Sequence, residues 1–228
     1  MKRQIQTMMG RDIIVETDCC VEKTRLGSSY GGWEVADRWI DGDSIIYSFG
    51  VGEDITFDLE LINKYGVTIH AFDPTPRSIE WIHKQNTPGR FVLHEYGLAD
   101  FDGPAFFNPP ENPEHISHTI LPRTKTQSLA TKVIFKRLES IMMLLNHSRI
   151  DLLKMDIEGA EYLVIDDLIT CQVKPSQLLI EFHHRFPNIG IQKTKEALKK
   201  LKSYGYCLFS VSDSGEEYGF IREIDIKR

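Results

Sequence analysis

Ser44-Ile45-Ile46-Tyr47-Ser48-Phe49-Gly50-Val51-Gly52-Glu53-Asp54 decides the fold. A short apolar run breaks at two glycines and passes into residues 54–65, where Ile55, Leu59 and Ile62 recur at helical spacing before Gly66. A strand that enters a helix through a glycine turn is the opening of a strand–helix–strand unit. The alternation repeats downstream. Strand 67–72 precedes a helix opening at Thr75, whose hydroxyl is expected to cap exposed amides, with Pro76 in the first turn, where a missing N–H is harmless. A third strand covers 91–95, strand 150–155 leads into helix 159–168, and strand 177–182 into helix 191–203. Strands 206–211 and 218–224 are joined by Asp213-Ser214-Gly215, a turn too short for a crossover, so they are expected to pair antiparallel. The fold class is therefore α/β, a mostly parallel sheet with helices on both faces and an antiparallel C-terminal strand pair.

Two segments fall outside this rhythm. Residues 1–40 mix short apolar pieces with turn formers such as Gly27-Ser28-Ser29 and Tyr30-Gly31-Gly32-Trp33, and read as an irregular N-terminal extension. Residues 98–127 are rich in proline, carry the strand Ala105-Phe106-Phe107, and are long for a plain connection, which suggests a substrate-side insertion. A strand over 128–133 and a helix through Ile141 and Leu145 follow, and 1–228 is read as one domain.

The 228 residues are 41% hydrophobic, and a chain of this length buries about 70% of its extended surface on folding, so neither metal nor disulfides are needed to hold a core. Cys19, Cys20, Cys171 and Cys207 lack paired zinc spacings. Lys and Arg number 27 against 33 Asp and Glu, a net charge of -6 that argues against a nonspecific nucleic-acid or anionic-membrane binder. No apolar run reaches membrane-spanning length, and residues 1–6 lack the stretch of a secretory signal, so a cytoplasmic protein is expected. Homo-oligomerisation is left open.

Gly50 and Gly52 have no Cβ to hold a ligand off the backbone, and the next strand ends in Asp73, 23 residues after Gly50, beside the same crevice and within reach of a ribose diol. The bland reading is a tight turn plus a helix-capping acid. A nicotinamide fingerprint requires a third glycine where this chain has Ile55, which disfavours an NAD-dependent reductase. S-adenosylmethionine, a nucleoside cofactor without a pyrophosphate, fits the loop better.

Ile46-Tyr47-Ser48-Phe49-Gly50-Val51-Gly52-Glu53-Asp54 and Asp151-Leu152-Leu153-Lys154-Met155-Asp156-Ile157-Glu158-Gly159-Ala160-Glu161 resemble the FkbM-type family of S-adenosylmethionine-dependent methyltransferases, over roughly residues 30–225. The resemblance implies a Rossmann-like, seven-strand class I methyltransferase sheet and methylation of an oxygen on a small molecule or carbohydrate. By position it makes Gly50 and Gly52 the cofactor loop, with Glu53 beside it, Asp73 the ribose ligand, and Tyr96-Gly97-Leu98 a wall of the adenine pocket. Ser48, which stands where many class I methyltransferases have an acid, is assigned with the loop to the cofactor. Trp33, in a segment that also looks like the family's, is assigned to the acceptor side.

Asp156, Glu158 and Glu161 crowd one strand-to-helix junction, and period-2 geometry puts Glu181 and His183 on one side of the neighbouring strand. Both junctions open at the carboxyl edge, where Gly50 and Asp73 also lie, so the groups can converge. Asp156, Glu158, Glu181 and His183 are the catalytic candidates, as proton acceptors for an alcohol nucleophile, with Glu161 on the substrate side. Helix capping and dipole compensation are the structural alternatives for Asp156, Glu158 and Glu161. Asp156, Glu181 and His183 are also a legitimate oxygen-and-nitrogen set for a divalent ion, but their spacing matches no dedicated metal motif, and no metal is the expectation. His115 and His118, beside Ser117 and Thr119, are candidates for lining a polar acceptor pocket. The different-class alternative is a degenerate methyltransferase fold acting as a binding module.

Overall fold

The computed structural model describes residues 6–7, 10–110, 117–123, 125–186 and 188–226. In chain order its elements are β1 (Lys23–Leu26), β2 (Trp33–Ala36), β3 (Ile45–Phe49), α1 (Thr56–Tyr65), β4 (Thr68–Phe72), α2 (Pro76–His83), β5 (Phe91–His94), β6 (Gly97–Leu98), β7 (Gly103–Phe107), β8 (Thr131–Lys136), α3 (Leu138–Leu144), β9 (Leu152–Met155), α4 (Glu161–Thr170), β10 (Gln177–Glu181), α5 (Ile191–Ser203), β11 (Tyr206–Val211), β12 (Glu217–Arg222) and α6 (Glu223–Ile226).

The main sheet has seven strands in the order β11-β12-β10-β9-β3-β4-β5. β10, β9, β3, β4 and β5 pair parallel, and only β12, inserted between β10 and β11, runs against its neighbours. Strands buried on both faces need continuous apolar runs, and alternate residues feed two cores. Tyr47, Phe49, Leu153 and Met155 join the cluster covered by Val164 and Leu168 of α4 and Leu201 of α5. Ile46, Ile69 and Leu152 face the opposite way, against Phe57 and Leu61 of α1 and Trp33 and Val35 of β2. Among the described residues no helix is long and apolar enough to cross a membrane.

Helix ends follow local chemistry. Gly66 closes α1 in the left-handed region at φ 70°, its N–H reaching Ile62 O. Thr75 occupies the N-cap position of α2 with Pro76 behind it, but its hydroxyl makes no capping bond. Asp73 Oδ1 takes the Thr75 N–H instead, at 2.8 Å.

Three boundaries depart from the sequence reading. The N-terminal segment contains a hairpin, β1 paired with β2, that the polar run Lys23, Thr24 and Arg25 did not announce. Residues 127–129 form a 3₁₀ turn, and the strand expected at 128–133 is β8, shifted to Thr131–Lys136 and paired with β7 and β6 in a separate three-stranded sheet. The last strand stops at Arg222 and gives way to α6.

Candidate active site

β3 leads outward to β4 on one side of the sheet and has β9 on the other, so the chain reverses its winding between β3 and β9. In open α/β sheets a crevice forms at such a switch point, beyond the carboxyl ends of the strands. Here a cavity of about 320 Å³ opens at that place, bordered by Gly50, Gly52, Asp73 and Leu98 and also by Asp156 and Glu158.

The glycine loop is set by two contacts. Gly50 has φ 73°, and a Cβ on it would stand 1.7 Å from the carbonyl oxygen of Asp156, so the loop after β3 and the loop after β9 touch backbone to backbone. Gly52, at φ 59°, donates its N–H to Asp73 Oδ2 at 2.9 Å. Asp73 is 3% exposed, and its two oxygens brace the loop and the start of α2 together. Burial raises its pKa, opposed by the N–H groups of Thr75 and Gly52.

Of the other residues assigned to the cofactor, Glu53 lines the cavity and is paired with Arg77 at 2.7 Å. Gly97 and Leu98 border it too, and a side chain on Gly97 would meet the Phe135 ring at 2.5 Å. Ser48 is fully buried within β3 and is not part of the lining. On the acceptor side, Trp33 and His118 both border the cavity, His118 with its ring 5.4 Å from that of Phe107. His115 lies outside the described residues.

The catalytic candidates meet around His183. Glu161 Oε1 holds its Nδ1 at 2.9 Å, while Nε2 faces Glu158 at 3.4 Å, Asp156 at 3.7 Å and Glu181 at 4.0 Å. Glu161 is fully buried and also accepts the N–H groups of Ile157 and Gly159, each at 3.1 Å. It is thus walled off from the cavity as a support for His183. His184 turns the other way, to Asp12 at 3.4 Å.

Crowding governs the charges. Burial pushes the Glu158 carboxyl up to about 7, with His183 opposing and Asp156 adding to the rise. Burial and then Asp156 push Glu181 up to about 9. For His183 burial disfavours the imidazolium, but Glu161, Glu158 and Asp156 outweigh it, and its pKa is raised well above 6.5.

Glu158 adopts φ 54°, a left-handed conformation that a glutamate rarely takes. Thr119 Oγ1 donates to its carbonyl at 2.6 Å, and a Cβ on Gly159 would strike Leu121 at 2.7 Å. The proline-rich segment therefore clamps the turn that carries Glu158.

Two participants escaped the sequence reading. Lys154 lies in a fully buried strand, opposite Ser48, and donates to the carbonyls of Gly50 at 3.0 Å and Phe49 at 3.3 Å, with the Trp33 ring 5.6 Å from its ammonium. Asp58 of α1 is buried beside it, its carboxyl pushed up to about 6 by burial against the pull of Lys154. The signal was available: a lysine inside Leu152-Leu153-Lys154-Met155 needs acceptors that an apolar strand cannot supply.

Residues 43–208 match the family model for the methyltransferase FkbM domain. The chain is 28% identical over 175 residues to "Probable methyltransferase-like protein 24" of Rattus norvegicus, covering 72% of this chain and 42% of that protein. It is 27% identical over 190 residues to the Homo sapiens protein of the same name, covering 78% and 45%. The chain thus spans less than half the length of these relatives. Among solved structures, methyltransferase FkbM from Methylobacillus flagellatus KT superposes with a TM-score of 0.50 at 14% identity, over 80% of this chain and 44% of that one. The sheet order and that superposition make this a class I methyltransferase fold, and the match over 43–208 places the chain in the FkbM methyltransferase family.

Proposed function

We propose that the protein transfers the methyl group of S-adenosylmethionine to a hydroxyl oxygen of a small-molecule or sugar-like acceptor. One observation carries the reading: a single cavity is bordered both by the glycine loop that Asp73 braces and by the carboxylate cluster around His183. Asp73 keeps lone pairs for a ribose diol, and Leu98 offers an apolar wall to the adenine. Lys154 is the only lysine or arginine among the described residues that border the cavity, against many carboxyl groups, a balance suited to a sulfonium cation.

The protein's task in such a transfer is alignment and exclusion of water, because the sulfonium is already a good leaving group. The acceptor oxygen attacks the methyl carbon in line with sulfur. A C–O bond forms as the C–S bond breaks, the electron pair stays on sulfur, and the hydroxyl proton leaves to the carboxylate cluster. Proton removal of this kind contributes about 10²–10⁴ in rate.

Calorimetric titration of S-adenosylmethionine into the wild type and Asp73→Ala tests the cofactor assignment. Loss of a charge-assisted bond to a ribose hydroxyl should weaken binding by roughly 1.5–3 kcal/mol. Unchanged affinity rejects it. A labelled-methyl screen over hydroxylated metabolites and sugars tests the transfer, and cofactor binding with no methylated product would favour the binding-module alternative.

A further inference from the structure

Asp156 and Glu158, just after β9, and His183, just after β10, each bring one ligand atom to a common point, all within 4.8 Å of one another. Ligands about 2.1 Å from one ion stand no more than about 4.2 Å apart, so the set closes on a cation with shifts of a few tenths of an ångström. The two imidazole–carboxylate separations, 3.4 and 3.7 Å, already satisfy that limit.

The imidazole is held as a metal ligand would be. Glu161 fixes Nδ1 from the buried side and is itself fixed by two backbone N–H groups. A carboxylate behind a histidine sets the ring's orientation and raises its basicity toward an ion in front. The His183 side chain is 8% exposed, and its Nε2 is aimed at the carboxylates of Glu158, Asp156 and Glu181, at 3.4, 3.7 and 4.0 Å. Among the described residues that border the cavity Lys154 is the only lysine or arginine, and it is committed to the carbonyls of Phe49 and Gly50.

We propose that Asp156, Glu158 and His183 bind a divalent first-row cation at the acceptor end of the cavity, with Glu161 as a positioning residue. Two carboxylate oxygens and one imidazole nitrogen suit Mn²⁺ or Fe²⁺ better than Ca²⁺, which takes six to eight oxygens. Positions left open on the ion would face the cavity and take the acceptor's oxygen. That role rests on the methyltransferase reading, whereas binding of the ion does not. The proposal departs from the expectation of no metal, which was drawn from spacing alone, because Asp156 and His183 come from different strands and approach each other only in the folded sheet.

The test is titration of MnCl₂ into the chelator-treated 228-residue chain, following free Mn²⁺ by electron paramagnetic resonance, with S-adenosylhomocysteine binding measured on the same material. One equivalent should bind. Glu158→Gln and His183→Gln should weaken it at least tenfold, and Glu161→Gln about 10–100-fold, the range for lost support behind a ligand. Each variant's circular dichroism must match the wild type for its result to count. Failure to bind Mn²⁺ by a chain that still binds S-adenosylhomocysteine overturns the site, as does Mn²⁺ binding indifferent to all three substitutions. Mn²⁺ binding that the substitutions abolish, in a chain that ignores S-adenosylhomocysteine, upholds the site and defeats the methyltransferase reading instead.

Discussion

Gly50→Ala separates the mechanical role of the glycine loop from any role in ligand contact. An alanine there carries two penalties. At φ 73° the left-handed backbone disfavours any Cβ, by about 1–2 kcal/mol. The Cβ would also stand 1.7 Å from Asp156 O, where real contacts of this kind essentially never fall below 3.0 Å, so the two loops must part by about 1.3 Å. The obstacle is backbone, not a side-chain tip that can swing aside, and overpacking of that kind adds about 1–3 kcal/mol. The total destabilisation is about 2–5 kcal/mol. Gly66→Ala calibrates the first component: φ is 70°, yet nothing lies within 4 Å of the added atom, so about 1–2 kcal/mol is expected. Gly89→Ala, also in open space and without a left-handed φ, should change stability by less than about 0.5 kcal/mol. Urea denaturation of the three variants reads these values directly. Under the proposed methyl transfer, separation of the loops also shifts Asp156 relative to the glycine loop, and a misplacement of about 1 Å can lower turnover about 10²-fold. A Gly50→Ala protein no less stable than Gly66→Ala refutes the backbone contact as the reason for this glycine.

Lys154→Met should destabilise the fold by about 1.5–3 kcal/mol, the value of charge-assisted bonds to buried acceptors, and stability within experimental error of the wild type in urea would show the two carbonyl contacts to be idle. Asp156→Asn should lower methyl-transfer turnover more than it lowers S-adenosylmethionine affinity, as measured by initial rates beside calorimetry, and equal turnover removes Asp156 from the acceptor chemistry. Asp58 makes stability depend on pH. Its folded pKa, about 6, lies above the ordinary 3.8, so the folded chain holds its proton more tightly than the unfolded one. Its contribution is therefore fully present below pH 3.8 and lost as pH rises through 6, a change of about 3 kcal/mol. The stability difference between wild type and Asp58→Asn, from urea curves at pH 4 and pH 7, should shift by about 2.4 kcal/mol, most of that change, and a constant difference refutes the assignment.

What the sequence disclosed and what it hid follow from how far apart the interacting residues stand in the chain. β3, β4, β9 and β10 were legible because strands covered on both faces are mostly apolar, and each ends at or just before a glycine or an acid, namely Gly50, Asp73, Asp156 and Glu181. Asp156, Glu158, Glu181 and His183 were legible as a group because parallel strands put equivalent ends on one edge. The use of each group was not. Alternation puts His183 on the side of Glu181, but the partner that holds its ring is Glu161, 22 positions earlier, and sequence reading had sent that glutamate to the substrate. Gly50 looked like a concession to a ligand, whereas the atom it makes room for is the carbonyl oxygen of Asp156, 106 positions later. Lys154 combines both lessons. Its charge in an apolar strand was visible, and its acceptors, the carbonyls of Phe49 and Gly50, exist only because β3 and β9 lie side by side. One lysine therefore ties the glycine loop to the strand that delivers Asp156, so the two ends of the cavity are held in register by the sheet itself.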